Sequence, residues 1–183
     1  DKAKFEVVGH KYADLSDHDN GVALLNDCKY GYMVHDNLLD LNLLRSPTNP
    51  DPDADKGSHS FTYSLLPHKD SLIHSDVINE ASCLNQEPIL FDGVVSGKVK
   101  IPVKLNGQGL ELSVLKKAEK EDAWIIRIIE THGRVSSGSL ELSGEIAECD
   151  LMEWKELSER EMVSGSLDIK LNPFEIKTFK LFY

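Results

Sequence analysis

The sequence lacks the marks of a membrane-spanning, secreted or nucleic-acid-binding protein. No apolar run approaches the roughly 20 residues that a membrane helix needs, and the N-terminus has no basic stretch followed by an apolar one, as a leader would have. Only four arginines are present and the net charge is −11, so the clustered cations that a phosphate backbone needs are missing. We therefore expect neither a membrane nor a nucleic acid as a partner.

Cysteine is also scarce. The three cysteines are odd in number, far apart and without a Cys-x-x-Cys spacing. This pattern favours free thiols over a disulfide framework. It indicates a reducing compartment, and we expect a cytoplasmic location.

Motifs that would carry catalysis or bind a metal are missing as well. None of the seven histidines pair at the i, i+4 spacing of a helical zinc motif. The segment Asp51–Gly57 resembles the start of a calcium loop, but its glycine comes one place late and Thr62 stands where a bidentate glutamate is needed. Ser136 lies near His132 without the Gly-x-Ser-x-Gly pattern of a nucleophile elbow. We assign no catalytic residue and no metal ligand to this chain.

Short β-type segments, by contrast, are frequent. Strand patterns recur at intervals of about 8–12 residues with Gly and Asn-Pro turn signals between them, which is typical of a sandwich. Residues 58–65 alternate, with His59, Phe61, Tyr63 and Leu65 predicted to face inward. The run Trp124–Glu130 is apolar on both faces except at Arg127, which predicts a central strand. The predicted fold class is all-β, an antiparallel β-sandwich architecture with one short linking helix.

The chain is predicted to have three parts. Residues 1–70 form an N-terminal β segment of a larger sandwich domain, 71–87 a linking helix and 88–183 a C-terminal β-sandwich. Apolar residues at three- and four-residue spacing predict the helix over 70–84. Further strands are predicted at 5–8, 89–91, 99–105, 110–115, 135–142, 146–154, 167–171 and 175–183. The first residue is Asp1 and the N-terminal sheet is small, so we expect a fragment of a longer protein.

The stretch Gly21–Pro47 is the most informative part of the sequence. It is predicted to form three short strands, 22–25, 30–35 and 38–45, joined by tight turns at Asn26-Asp27 and Asp36-Asn37, because Asn and Asp tolerate the left-handed backbone conformation. Asn26, Asp27, Cys28 and Lys29 would then form a polar tip. Asp27 is the most interesting single acid, since hydrogen-bonding groups at such a tip can line a sugar site.

Two long motifs carry a family resemblance. GVALLNDCKYGYMVHDNLLDLNLLRSP, followed by PDPDADKGSHSFTYSLLPH, resembles the C-terminal region of the α-mannosidases of glycoside hydrolase family 38. FEVVGHKYADLS before them, and LSVLKKAE, RIIETHG and NPFEIKTFKL after them, continue the resemblance along the chain. Residues 92–102 and 157–165 have no clear family signature.

The resemblance implies a modular, retaining enzyme that hydrolyses terminal α-mannosides with an aspartate nucleophile and a second carboxylate. Zinc or another divalent cation would be bound in the N-terminal catalytic domain, and no segment of this chain resembles that domain. The chain would be a non-catalytic β region that supports the catalytic domain of the same polypeptide and could line the sugar site. Its partners would be that domain and mannose-containing glycans. Contacts with the domain or the substrate are expected at Asn26, Asp27, Lys29, Tyr30 and Arg45.

The alternative is a stand-alone carbohydrate-binding or protein-interaction β-sandwich module. It predicts exposed aromatic side chains on one face of the sandwich. Trp124 and Trp154 both lie in apolar, strand-like contexts, and both are predicted to be core residues.

Overall fold

The computed structural model describes residues 6–93 and 102–183, and the chain divides into two compact units, 1–92 and 93–183. The first unit contains β1 (Val7–Val8), β2 (Tyr12–Ser16), β3 (Asn20–Asn26), β4 (Gly31–His35), β5 (Leu38–Asn42), β6 (Tyr63–Lys69), a 3₁₀ turn (Leu72–His74) and α1 (Val77–Asn85). The second contains β7 (Lys104–Asn106), β8 (Leu110–Lys117), β9 (Trp124–Glu130), β10 (Ser136–Cys149), β11 (Glu161–Leu171) and β12 (Ile176–Phe182). Every pair of these strands is antiparallel, and the all-β prediction with one short α-helix is confirmed.

The first unit has two three-stranded sheets, with orders β1-β4-β5 and β2-β3-β6. The turn predicted at Asp36-Asn37 joins β4 to β5 as a two-residue hairpin, with His35 opposite Leu38. The tight turn predicted at Asn26-Asp27 would make β3 and β4 a hairpin, but the two strands do not pair, because β2 and β6 occupy both edges of β3. The Asn26-Asp27 turn therefore carries the chain from one sheet to the other.

The helix also differs from its prediction. It begins at Val77, after a separate 3₁₀ turn, and packs Val77 and Ala81 against Ala23 and Leu25 of β3. This contact buries the apolar stripe that the sequence pattern identified. The helix is thus part of the core of the first unit.

Two strand predictions near the helix are corrected. In β6, Tyr63 and Leu65 were expected to face inward but are 55% and 64% exposed, whereas Leu66, on the opposite face, packs against the helix core. Residues 89–91 are not in a strand, and their apolar side chains are exposed. The strand predicted over 99–105 falls partly outside the described residues, and regular pairing begins at Lys104.

The second unit is built on one six-stranded sheet with the order β11-β10-β12-β9-β8, and β7 also pairs with β10. As predicted, β9 is an interior strand. One apolar cluster forms its core, with Ile126, Ile128, Leu140, Leu171 and Leu181 fully or almost fully buried. No helix in the described part of the chain is long and apolar enough to cross a membrane.

A break was expected near Gly144, but β10 is one strand of 14 residues. Gly144 has a φ of 146°, and a Cβ atom at this position would lie only 2.4 Å from the carbonyl oxygen of Phe182. The absence of a side chain at Gly144 therefore allows β12 to approach β10 closely, and the glycine does not mark a turn.

A buried His68–Asp14 pair ties β6 to β2 in the first unit. His68 Nε2 lies 2.8 Å from Asp14 Oδ1, and its Nδ1 lies 3.2 Å from the carbonyl oxygen of Lys69. Both ring nitrogens therefore face acceptors, which suits the doubly protonated imidazolium. Burial alone would lower the pKa of His68, but the bond to Asp14 and the neighbouring backbone acceptors reverse this and raise it above the ordinary 6.5.

His68→Gln is expected to alter how stability depends on pH. Because the pKa is raised in the folded state, the protonated pair contributes its full stability below the unfolded pKa of 6.5 and loses it as pH rises through the folded pKa. The urea midpoint of the wild type should therefore fall relative to that of His68→Gln as pH rises from below 6.5 through the folded pKa of His68. Exposed His59→Gln is the control, and parallel curves for wild type and His68→Gln would contradict the assignment.

Candidate functional site

Asn26 organises the polar tip from a buried position. Its side-chain oxygen accepts the backbone N–H groups of Cys28, at 3.1 Å, and Lys29, at 2.5 Å. Its side-chain NH₂ donates to the hydroxyl of Tyr32 on β4, and its backbone carbonyl oxygen accepts a hydrogen bond from the side chain of Asn85 at the end of α1. The side-chain amide of Asn26 therefore fixes the turn and links β3 to β4, and its backbone carbonyl links β3 to the helix.

Asp27 fastens the tip to the segment that precedes β6. Its two carboxylate oxygens accept the N–H of Thr62 at 3.0 and 3.1 Å, and its own N–H donates to the carbonyl oxygen of Thr62 at 3.2 Å. The hydrogen bond from the Cys28 thiol, followed by that from Thr62, lowers the pKa of Asp27, and the same contact raises the pKa of Cys28. Asp27 is thus an ionised anchor for the loop.

A cleft of about 540 Å³ opens beside the tip, and three of the five predicted site residues line it: Lys29, Tyr30 and Arg45. Asn26 and Asp27 are not among the lining residues. They shape the turn that carries Lys29 and Tyr30 to the cleft. The five predicted site residues thus divide into two that hold the loop and three that line the cleft.

Aromatic contacts position the side chains of the loop. The ring of Tyr30 lies 4.9 Å from that of His10 with a tilt of 51°, and about half of the tyrosine surface stays exposed. The Lys29 ammonium lies 4.9 Å from the ring centroid of Phe61, at cation–π distance. The cleft thus has an aromatic surface and a cation held at defined positions.

Sequence reasoning missed four polar residues that line the same cleft. Glu6 accepts a hydrogen bond from Asn42 at 2.6 Å. Asp55 accepts the N–H of Ser46 at 2.6 Å, and His59 Nε2 lies 3.0 Å from the carbonyl oxygen of Asp55. Asp55 lies within the loop rich in proline and aspartate, residues 46–57 (the Pro/Asp loop), and His59 follows that loop. Their approach to the cleft that Arg45 lines depends on the fold of this loop.

The acidic loop does not gather its carboxylates around one point. Asp51 accepts the N–H of Asp53, Asp53 bonds to Lys56, and Asp55 bonds to Ser46. Within residues 6–93 and 102–183, no three His, Cys, Asp or Glu side chains come together in a way that could hold a metal ion. The described residues therefore do not form a site for a divalent cation, which the family resemblance assigns to the N-terminal catalytic domain.

The second unit holds one buried carboxylate and one exposed tryptophan. Glu130 is 1% exposed and receives the hydroxyl hydrogen bond of Ser136, so this serine serves a structural network. Trp124 packs partly against the core, as predicted, but the prediction for Trp154 is wrong, because it is 65% exposed. It lies in the connection after β10 and not in a strand.

Two family models match the chain in order. The model described as "Glycosyl hydrolases family 38 C-terminal domain" matches residues 1–53, and the model described as "Glycosyl hydrolases family 38 C-terminal beta sandwich domain" matches residues 109–179. Between them they match more than half of the chain, and they include most of β8 to β12.

Curated relatives match over the whole chain. "Alpha-mannosidase G" of Dictyostelium discoideum is 40% identical over 98% of the chain, "Alpha-mannosidase" of Saccharomyces cerevisiae 32% over 100%, and human "Alpha-mannosidase 2C1" 36% over 99%. The chain spans only 18–19% of the length of these relatives.

A solved structure shares the fold. The crystal structure of an alpha-mannosidase from Enterococcus faecalis V583 matches 97% of this chain with a TM-score of 0.69 at 15% identity, and the chain covers 21% of it. Two C-terminal models of one family match in the same order, and the relatives are 32–40% identical along almost the entire chain. The chain therefore belongs to glycosyl hydrolase family 38, as part of the C-terminal β region of that family.

Proposed function

We propose that this chain is the non-catalytic β region of a retaining α-mannosidase that acts on terminal α-mannosides, and that its cleft helps to bind the sugar. The observation that supports the sugar contact is the grouping of Lys29, Tyr30 and Arg45, all within the family motif of residues 21–47, along one cleft. Charged donors suit sugar hydroxyls, and an exposed aromatic face suits the apolar face of a pyranose ring.

The chemistry itself is proposed to lie in the rest of the polypeptide. A retaining glycosidase needs two carboxyl groups about 5–5.5 Å apart across the scissile bond, and zinc or another divalent cation would bind sugar hydroxyls in that other part. The residues of this chain bind and orient mannose-containing glycans, and they support the catalytic domain. Free thiols at Cys28, Cys83 and Cys149 accord with a reducing, cytoplasmic location.

Arg45→Ala in the full-length polypeptide tests the sugar contact. We expect kcat/KM for an aryl α-mannoside to fall about tenfold, the equivalent of roughly 1.4 kcal/mol of lost binding to the transition state. The unfolding midpoint should stay unchanged, because Arg45 is exposed. Arg134→Ala, an exposed arginine of the second unit, is the control. Equal activity of the two variants would refute the sugar contact.

The second candidate is the stand-alone module that binds a carbohydrate or a protein. The exposed ring of Trp154 favours it, because accessible tryptophans stack on sugars in such modules. It predicts that the 183-residue chain alone binds a mannose oligosaccharide in calorimetry and that Trp154→Ala abolishes the binding. The proposal above predicts no measurable affinity without the rest of the polypeptide.

A further inference from the structure

The connection between β10 and β11, residues 150–160, presents a group of large apolar side chains to the exterior of the second unit. Leu151, Met152, Trp154 and Leu157 are 56–65% exposed. Met152 and Trp154 line one shallow depression together with Ala118 and the neighbouring residues of the β8–β9 connection. This group is called the β10–β11 loop surface below.

The loop is held in one conformation by its own hydrogen bonds. Asp150 accepts the N–H of Trp154 on its carboxylate at 2.8 Å and that of Glu153 on its carbonyl oxygen at 3.0 Å. The N–H of Leu157 donates to the carbonyl oxygen of Glu148 at 2.7 Å, and the hydroxyl of Ser158 accepts the N–H of Glu148 at 2.9 Å. The apolar side chains therefore project from a fixed backbone.

Ion pairs anchor the loop to the sheet. Arg127, on the interior strand β9, donates to the carbonyl oxygen of Leu151 and to the carboxylate of Glu153, each at 3.0 Å. Lys116 of β8 lies 3.0 Å from the other carboxylate oxygen of Glu153. Glu153 also has a φ of 64°, an unusual conformation for a residue other than glycine, asparagine or aspartate. The network holds the loop in this position against local strain.

We propose that the β10–β11 loop surface is a preformed docking site for an apolar face of the family polypeptide outside this chain. Tryptophan and methionine are enriched in the centres of protein interfaces, and a pre-organised surface lowers the entropy cost of association. The chain spans only 18–19% of its curated relatives, so most of a family polypeptide could supply such a face. The proposal rests on family membership and is independent of the sugar cleft.

The chemistry around Trp154 favours a protein occupant over a sugar. The Lys120 ammonium lies 4.3 Å from the centroid of the Trp154 ring and covers part of a face on which a sugar would stack. The other exposed members, Leu151, Met152 and Leu157, have aliphatic or thioether side chains that offer little hydrogen bonding to sugar hydroxyls. These side chains are suited to pack against apolar side chains of a protein surface and to bury them from water.

Cysteine labelling of the full-length polypeptide tests this inference. Met152→Cys and Ser164→Cys, both at exposed positions of the second unit, are treated with a maleimide, and the rates are read by peptide mass spectrometry, which separates them from Cys28 and Cys83. Fragment ions separate position 152 from the buried thiol of Cys149, which lies on the same tryptic peptide. We expect labelling at 152 to be at least about tenfold slower than at 164, with equal rates in urea. Adding Trp154→Ala to Met152→Cys should restore much of the rate.

Each other outcome overturns the proposal. Equal rates under native conditions mean that the loop is uncovered. Protection that disappears on dilution means that a second copy covers it, and protection that needs a mannose oligosaccharide means that a glycan does. Activity of the Met152→Cys polypeptide on an aryl α-mannoside is measured in parallel, which keeps a failure of this proposal separate from a failure of the sugar cleft.

Discussion

Replacing Glu130 with alanine is expected to lower the free energy of unfolding of the second unit by about 3 kcal/mol. The carboxylate is 1% exposed and accepts four hydrogen bonds, each 2.9 Å long. The donors are the N–H groups of His132, Gly133 and Phe174 and the hydroxyl of Ser136. Alanine would leave all four without this acceptor, and partial access of water to the three N–H groups limits the loss.

The same carboxylate links the β9–β10 connection, residues 131–135, to the β11–β12 connection, residues 172–175. Gly133 has a φ of 67°, and a Cβ atom there would lie 2.6 Å from the ring of Phe174, which itself has a φ of 57°. These backbone conformations are unfavourable for most residues. The negative charge of Glu130 compensates by accepting the N–H groups that these conformations turn inward.

The destabilisation should depend on pH in a defined direction. Burial on its own would raise the pKa of Glu130, but the bonds from Phe174, Ser136, His132 and Gly133 outweigh it and lower the pKa below the ordinary 4.5. A lowered folded pKa means that the stabilisation is fully present above the unfolded value and is lost as pH falls through the folded pKa. The difference in unfolding free energy between wild type and Glu130→Gln should therefore be constant above about pH 6 and shrink below about pH 4.

Denaturant unfolding of the chain measures both effects. Glu130→Gln keeps the shape but turns an NH₂ group toward one pair of donors, so it should also be destabilised. Glu145→Ala, which removes an exposed carboxylate from β10, is the matched control and should change the free energy by less than about 0.5 kcal/mol. A Glu130→Ala variant as stable as this control would show that the network contributes nothing.

The sequence predicted the features that depend on short-range patterns. β9 is apolar on both faces, and it is an interior strand. The Asp36-Asn37 pair predicted a two-residue turn, and Asp36 has a φ of 50° between paired strands. Such features follow from local steric preference and from the period of two along a strand.

The predictions that were wrong or missing concern features that depend on contacts between residues far apart in the chain. Gly144 resembles a turn signal, and only the position of the Phe182 carbonyl explains why it lies within a strand. Trp154 has apolar neighbours, but the hydrogen bonds of Asp150 and the reach of Arg127 turn it outward. The cleft combines β1, β4 and β5 with a Pro/Asp loop, and no spacing in the sequence indicates that Asp55 and His59 approach Arg45.

Asn26→Ala is expected to destabilise the first unit by about 2–4 kcal/mol, the range for losing a buried polar network. Asn26 and Tyr32 are each 1% exposed, and the tyrosine hydroxyl receives its hydrogen bond from the Asn26 side chain. Alanine would also remove the acceptor for the N–H groups of Cys28 and Lys29. The loop that carries Lys29 and Tyr30 to the cleft would lose the amide that defines its turn.

A double-mutant cycle with Tyr32→Phe separates the two roles of this amide. If the Asn26–Tyr32 bond carries much of the stability, Tyr32→Phe should cost far less in the Asn26→Ala background than in wild type, with a coupling of about 1 kcal/mol or more. Additive losses for Asn26 and Tyr32 would mean that Asn26 acts only through the turn. In that case Asn26→Ala should speed amide exchange at Cys28 and Lys29 while leaving exchange in β4 unchanged.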